Sequence, residues 1–77
     1  MAKTLIRNNI RKLRFHCSEM TQQQLSEKVG VTRQTIVAIE GEKYSPSLEV
    51  AFRIARAFGV PLEEVFRYES ADPEARE

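Results

Sequence analysis

From Met20 to Glu40 the apolar positions fall into two short series of one design, each opening on an apolar residue followed directly by a threonine. In the first, Met20 precedes Thr21 and Leu25 comes next in the stripe; in the second, Val31 precedes Thr32 and Ile36 stands at the same spacing. A threonine hydroxyl accepts an unpaired backbone N–H at a helix start, and the flanking apolar pair packs together as a staple. Gln24, one turn after Thr21, can reach back to complete a capping box. Gly30 follows Val29, where the first helix must end, because glycine takes a left-handed backbone without a Cβ clash. The pattern predicts one helix over about Gln22 to Val29 and a second ending at Glu40, joined by a short turn containing Gly30.

The same period continues on both sides. Ile6, Ile10, Leu13 and Cys17 form a stripe that predicts a helix capped by Asn8 or Asn9 and ending near His16. Downstream, Pro46 disfavours helix before it and Ser47 caps a helix over Leu48 to Phe58, with Leu48, Ala51, Phe52, Ala55 and Phe58 on one stripe and Ile54 at its edge. We read that stripe as core. Gly59 ends this helix, Val60-Pro61 makes a bend, and Leu62 to Phe66 predicts a short fifth helix. The expected fold class is therefore all-α with five helices. Leu62, Val65 and Phe66, followed by Tyr68, exceed what one terminal turn can bury, so they either close the monomer core or form a dimer seam, and both roles are expected of them.

Two helices joined by a short glycine-containing turn read as a helix-turn-helix, whose second helix enters the DNA major groove. Ile36 and Ile39 share its inner face, while Gln34, Val37 and Ala38 point the other way and Arg33 projects from the first turn. Arginine pairs with guanine, glutamine with adenine, and small apolar groups meet the thymine methyl. The run T-Q-x-x-L-S-x-x-x-G-V-T-R-Q-T-I-x-x-I-E resembles the Cro/repressor-type (Xre) helix-turn-helix family, and P-S-L-E-V-A with G-V-P-L-E-E-V-F resembles its next two helices. The match spans residues 6–66, with the helix-turn-helix at 21–40 and a C-terminal acidic segment at 67–77.

The resemblance implies a lambda-repressor-like domain in which Gln22 hydrogen-bonds a DNA phosphate, as exposed N–H groups at a helix start also do. It implies a structural pair between Arg14 and Glu40. In short members a segment after the fifth helix can pair with the N-terminal segment, here Phe66 to Glu69 with Leu5 to Arg7, as a small antiparallel sheet. The chain departs from the family pattern in three places: a loop one residue longer after the first helix, Ser26 where alanine is usual, and Gly41-Glu42-Lys43 in place of N-G-K. The expected DNA-binding residues are Thr21, Gln22, Thr32, Arg33, Gln34, Thr35, Ala38 and Lys43; the expected dimer interface is Leu62, Val65, Phe66 and Tyr68.

Composition bounds this reading. The 77 residues suit one small domain, which buries only about 60% of its unfolded surface. Residues 1–60 hold ten Lys/Arg against five Asp/Glu, and residues 61–77 two against six, so a net charge of +1 hides a basic body and an acidic end. No apolar run approaches the roughly 20 residues of a membrane span, Lys3 to Arg14 lacks the apolar centre of a signal peptide, and one cysteine fits a reducing compartment, so a cytoplasmic protein is expected. His16 beside Cys17 gives too few ligands for zinc, and Cys17 reads as a small core residue. With one histidine and no glycine-rich phosphate loop, no enzyme, cofactor or small-molecule substrate is expected. The implied function is a sequence-specific regulator, a repressor binding double-stranded DNA at a palindromic operator as a homodimer. The alternative is an antitoxin or adaptor that uses the same fold to bind protein.

Overall fold

The computed structural model describes residues 5–69; the expectation of a frayed tail over 70–77 lies outside them. The order is β1 (Ile6–Asn8), α1 (Ile10–His16), α2 (Gln22–Val29), α3 (Arg33–Glu40), α4 (Leu48–Phe58), α5 (Leu62–Val65) and β2 (Phe66–Tyr68). Five helices and the small sheet are both present. β1 and β2 are antiparallel, with Ile6 opposite Tyr68, Arg7 opposite Arg67 and Asn8 opposite Phe66. Two arginines facing each other repel. Arg7 offsets this by pairing with Glu69 at 3.0 Å and Glu42 at 3.6 Å.

Helix starts follow the caps read from sequence. Thr21 accepts from the Gln24 N–H at 3.0 Å while the Gln24 side chain accepts from the Thr21 N–H at 2.9 Å, a complete capping box. Thr32 caps α3 through the Thr35 N–H at 3.1 Å, and Ser47 caps α4 through the Val50 N–H at 3.2 Å. At α1 the two asparagines divide the work. Asn8 Oδ1 accepts from the Ile10 N–H at 3.1 Å, whereas Asn9 Nδ2 donates to the Glu64 carbonyl at 3.0 Å and ties α5 to α1. The longer loop after α1 turns through Ser18 and Glu19, both at positive φ.

The core gathers Ile10, Met20, Leu25, Val29, Ile36, Ile39, Ile54, Ala55, Phe58 and Val65, with Leu13 and Cys17 packed against it. Both staple pairs contribute to it through at least one buried member. Ser26, where a buried hydroxyl without a partner would be costly, donates to the Gln23 carbonyl at 2.7 Å.

Two expectations are corrected. On α4 the buried side is Ala51, Ile54, Ala55 and Phe58, so Ile54 is central; Leu48 is 68% exposed and Phe52 48% exposed. The cause is the approach of α2 and α5, which pack on the Ile54 side and leave the other edge of a wide apolar stripe in solvent. Val65 is fully buried within the monomer and presents no surface to a second chain, unlike exposed Tyr68 and half-buried Leu62 and Phe66.

Candidate nucleic-acid interface

Helix α3 is held at both ends. At its start, the Thr32 and Thr35 hydroxyls lie 2.9 Å apart. One hydroxyl donates to the other in that bond, which leaves the second O–H as a further donor. At its end, the Arg14 guanidinium meets Glu40 through both carboxylate oxygens, Nε to Oε1 at 3.1 Å and Nη2 to Oε2 at 2.8 Å. Its Nη1 donates to the Met20 carbonyl at 2.8 Å, so one side chain fixes α1, the approach to α2 and the end of α3 together. A bidentate pair of this kind constrains orientation as well as distance.

Asn8 adds a tie that sequence reading had assigned only to a helix cap. Its Nδ2 donates to the Ile39 carbonyl at 3.0 Å and reaches the Glu40 carbonyl at 3.5 Å, pairing acceptors that a helix end leaves open. Beyond Glu40, the Glu42 N–H bonds the Ile39 carbonyl and the Lys43 N–H bonds the Ala38 carbonyl, each at 3.0 Å. That is a Schellman closure with Glu42, at φ 63°, in the left-handed place. Gly41 sits one position early, at φ −82° and ψ 2°, an ordinary backbone conformation in which a Cβ would come within 3.3 Å of the Val37 carbonyl oxygen. The Glu42 carboxylate lies 3.6 Å from Arg7, which draws the negative charge toward β1.

From this frame Arg33, Gln34 and Val37 project into solvent, with Thr35 and Ala38 half-buried beside them. Ile36 and Ile39 face the core, as their spacing predicts. Gln22, half-buried at the first position of α2, lines the same surface groove as Arg11, Thr21 and Arg33. The basic residues of β1 and α1 divide into separate tasks: Arg14 is in the clamp, Arg7 of β1 pairs with acids, and Arg11 with Lys12 faces solvent beside Gln22 and Val37. Arg11, Lys12, Arg33 and Lys43 make no ion pair among the described residues. No group of three or more His, Cys, Asp or Glu residues that could hold a metal occurs among the described residues, and no helix there is long and apolar enough to cross a membrane.

A helix-turn-helix family model matches residues 18–65. The chain belongs to the Cro/repressor-type helix-turn-helix family. It is thus a DNA-binding transcriptional regulator of a non-enzymatic class. Among its relatives, an uncharacterized HTH-type transcriptional regulator of Methanocaldococcus jannaschii is 52% identical over 60 residues, covering 75% of this chain and 91% of that protein. Another from Methanothermobacter thermautotrophicus is 51% identical over 65 residues, covering 83% and 87%. The cryptic phage CTXphi transcriptional repressor RstR of Vibrio cholerae is 33% identical over 58 residues, covering 75% of this chain and 51% of RstR. The fold is also that of a crystal structure of a candidate DNA-binding protein from Bacteroides fragilis, with TM-score 0.71 at 22% identity over 80% of this chain and 98% of that one.

Proposed function

We propose that this helix-turn-helix regulator is a cytoplasmic repressor that binds a palindromic operator as a homodimer. Arg33 and Gln34 read base edges from the first turn of α3, and Thr35 and Ala38 complete the reading surface. Thr21, Gln22, Thr32 and Lys43 hold the phosphates on either side. The observation that carries the reading is the pairing of an exposed Arg33-Gln34 edge with a helix whose far end is clamped by Arg14 and Asn8. Contacts to phosphates position the protein and contacts to bases specify the site, and both require a helix that does not shift. Repression is supported by the likeness to RstR, named a transcriptional repressor. Physically it needs only that the bound protein occupy the DNA.

Selection from random duplex DNA at physiological salt tests this directly. The wild-type chain is expected to return a two-fold symmetric site with half-sites about one helical turn apart. Gln34→Ala is expected to return the same site relaxed at one position in each half. Weak, salt-sensitive binding with no motif would overturn the reading.

A further inference from the structure

We infer that Val37 reads a thymine methyl group and is a specificity-determining residue of the interface, beside Arg33 and Gln34. This rests on the operator reading and deepens it, by assigning the apolar part of base recognition to one side chain. In an α-helix each residue advances about 100° round the axis. Val37 therefore lies about 40° past Arg33 and about 60° short of Gln34, in the sector between the two side chains that read base edges. Ala38 falls about 40° beyond Gln34, outside that sector. Burial follows the same geometry. Val37 is 44% exposed and Ala38 half-buried, whereas Ile36 and Ile39 on the inner side are 0% and 1% exposed.

The neighbours of Val37 set the backbone of a duplex next to it. Val37 borders a groove shared with Arg11 and Lys12 of α1 and Gln22 at the start of α2. Arg11 and Lys12 make no ion pair among the described residues, and the start of α2 presents N–H groups suited to an anion. Phosphates held by these groups run alongside Val37, so its side chain stands between the backbone contacts and the base edges. Phe15 borders the same groove, and a protein partner would use the two apolar side chains together; the cations on the same lining favour a duplex instead.

The side chain narrows what can be read. Valine has no donor or acceptor, and among the groups that the major groove presents for recognition the apolar one is the C5 methyl of thymine. Branching at Cβ leaves valine one strongly preferred χ1 rotamer in a helix, so its two methyls are presented in a fixed place with little ordering left to do on binding. The folded chain gains nothing from valine there: alanine is the better helix former, and an exposed site fills no core.

Affinity of the full chain for the site recovered by selection, with each thymine replaced in turn by deoxyuridine, tests the assignment. That replacement removes the methyl and keeps every hydrogen-bonding group. At one thymine in each half-site the wild type is expected to lose about fourfold per half, the worth of one buried carbon. Val37→Ala is expected to bind the thymine and deoxyuridine duplexes alike at that position and to keep its affinity for scrambled duplex. Lys43→Ala is expected to weaken both duplexes and to keep their ratio. Phe15→Ser should keep the ratio as well. Wild-type indifference to every methyl, which is what contact with deoxyribose alone would give, or a ratio that persists in Val37→Ala, would overturn the inference and leave the operator reading in place. Recovery of no site at all would refute the operator reading and this inference with it.

Discussion

Glu42 holds a backbone conformation that glycine holds at less cost. Its φ of 63° is the left-handed place of a Schellman closure, and a side chain there costs on the order of 1 kcal/mol relative to glycine. In exchange, its carboxylate meets Arg7 at 3.6 Å, a partly exposed contact worth about 0–1 kcal/mol. Arg7 keeps Glu69 in any case. Glu42→Gly is therefore expected to stabilise the chain by about 0.5 kcal/mol, read as a higher urea midpoint with the same slope. A lower midpoint would mean that the ion pair outweighs the backbone term. Ser26 teaches a related lesson: the hydroxyl that replaces the usual alanine finds the Gln23 carbonyl one turn back and needs no other partner.

At the scale of elements, the reading helix is stabilised less by its own eight residues than by what grips its ends. A helix this short is marginal alone, and tertiary contacts must hold it. Arg14 and Asn8, from α1 and β1, both act at its C-terminal end. Asn8 Oδ1 also accepts from the Ile10 N–H at the start of α1, so the terminal sheet, α1 and α3 share one side chain. Asn8→Ala removes all three bonds without touching DNA. The expected loss is about 1–3 kcal/mol of stability. Faster amide exchange should be confined to the last turn of α3 and the start of α1. Specific affinity should fall more than non-specific affinity, since base contacts depend on the angle of the helix more strongly than phosphate contacts do. Equal loss on both would limit Asn8 to a structural role.

Over the whole molecule, charge and apolar surface are segregated. Among the described residues Arg11, Lys12 and Arg33, which make no ion pair, line the grooves beside Gln22, while Leu48 on α4 borders a largely apolar groove with Ile6, Leu62 and Phe66. Cations at phosphates release counterions and make affinity salt-dependent; base-reading groups alter preference. Lys43→Ala should weaken every sequence alike and lower the slope of log K against log salt by about one. Arg33→Ala should cost about 1–3 kcal/mol at one base position if it pairs bidentately with guanine. Titrations at several salt concentrations on operator and scrambled duplex separate the two. Identical losses on both duplexes from both variants would remove the division of labour.

Local chemistry determined much of this protein. The threonine and serine caps, the Gln24 capping box, the inward pair Ile36 and Ile39, and the turn at Gly30 are legible because each depends on residues within one or two turns of each other. Gly30 takes φ 87°, as the end of α2 requires. The terminal sheet and the Arg14–Glu40 pair, by contrast, join residues far apart in the chain and could be expected only from the family resemblance. Tertiary structure alone decided which edge of α4 is buried. A 3.6-residue period allows Leu48, Ala51, Phe52, Ala55 and Phe58 as one stripe and Ala51, Ile54, Ala55 and Phe58 as another, and only the packing of α2 and α5 selects the second. The same holds for Val65, whose apolar side chain suits core and interface equally, and for Asn8, whose second and third hydrogen bonds reach a helix more than thirty residues away. Burial and long-range pairing depend on what arrives from elsewhere in the chain, and the pattern of a single segment does not contain it.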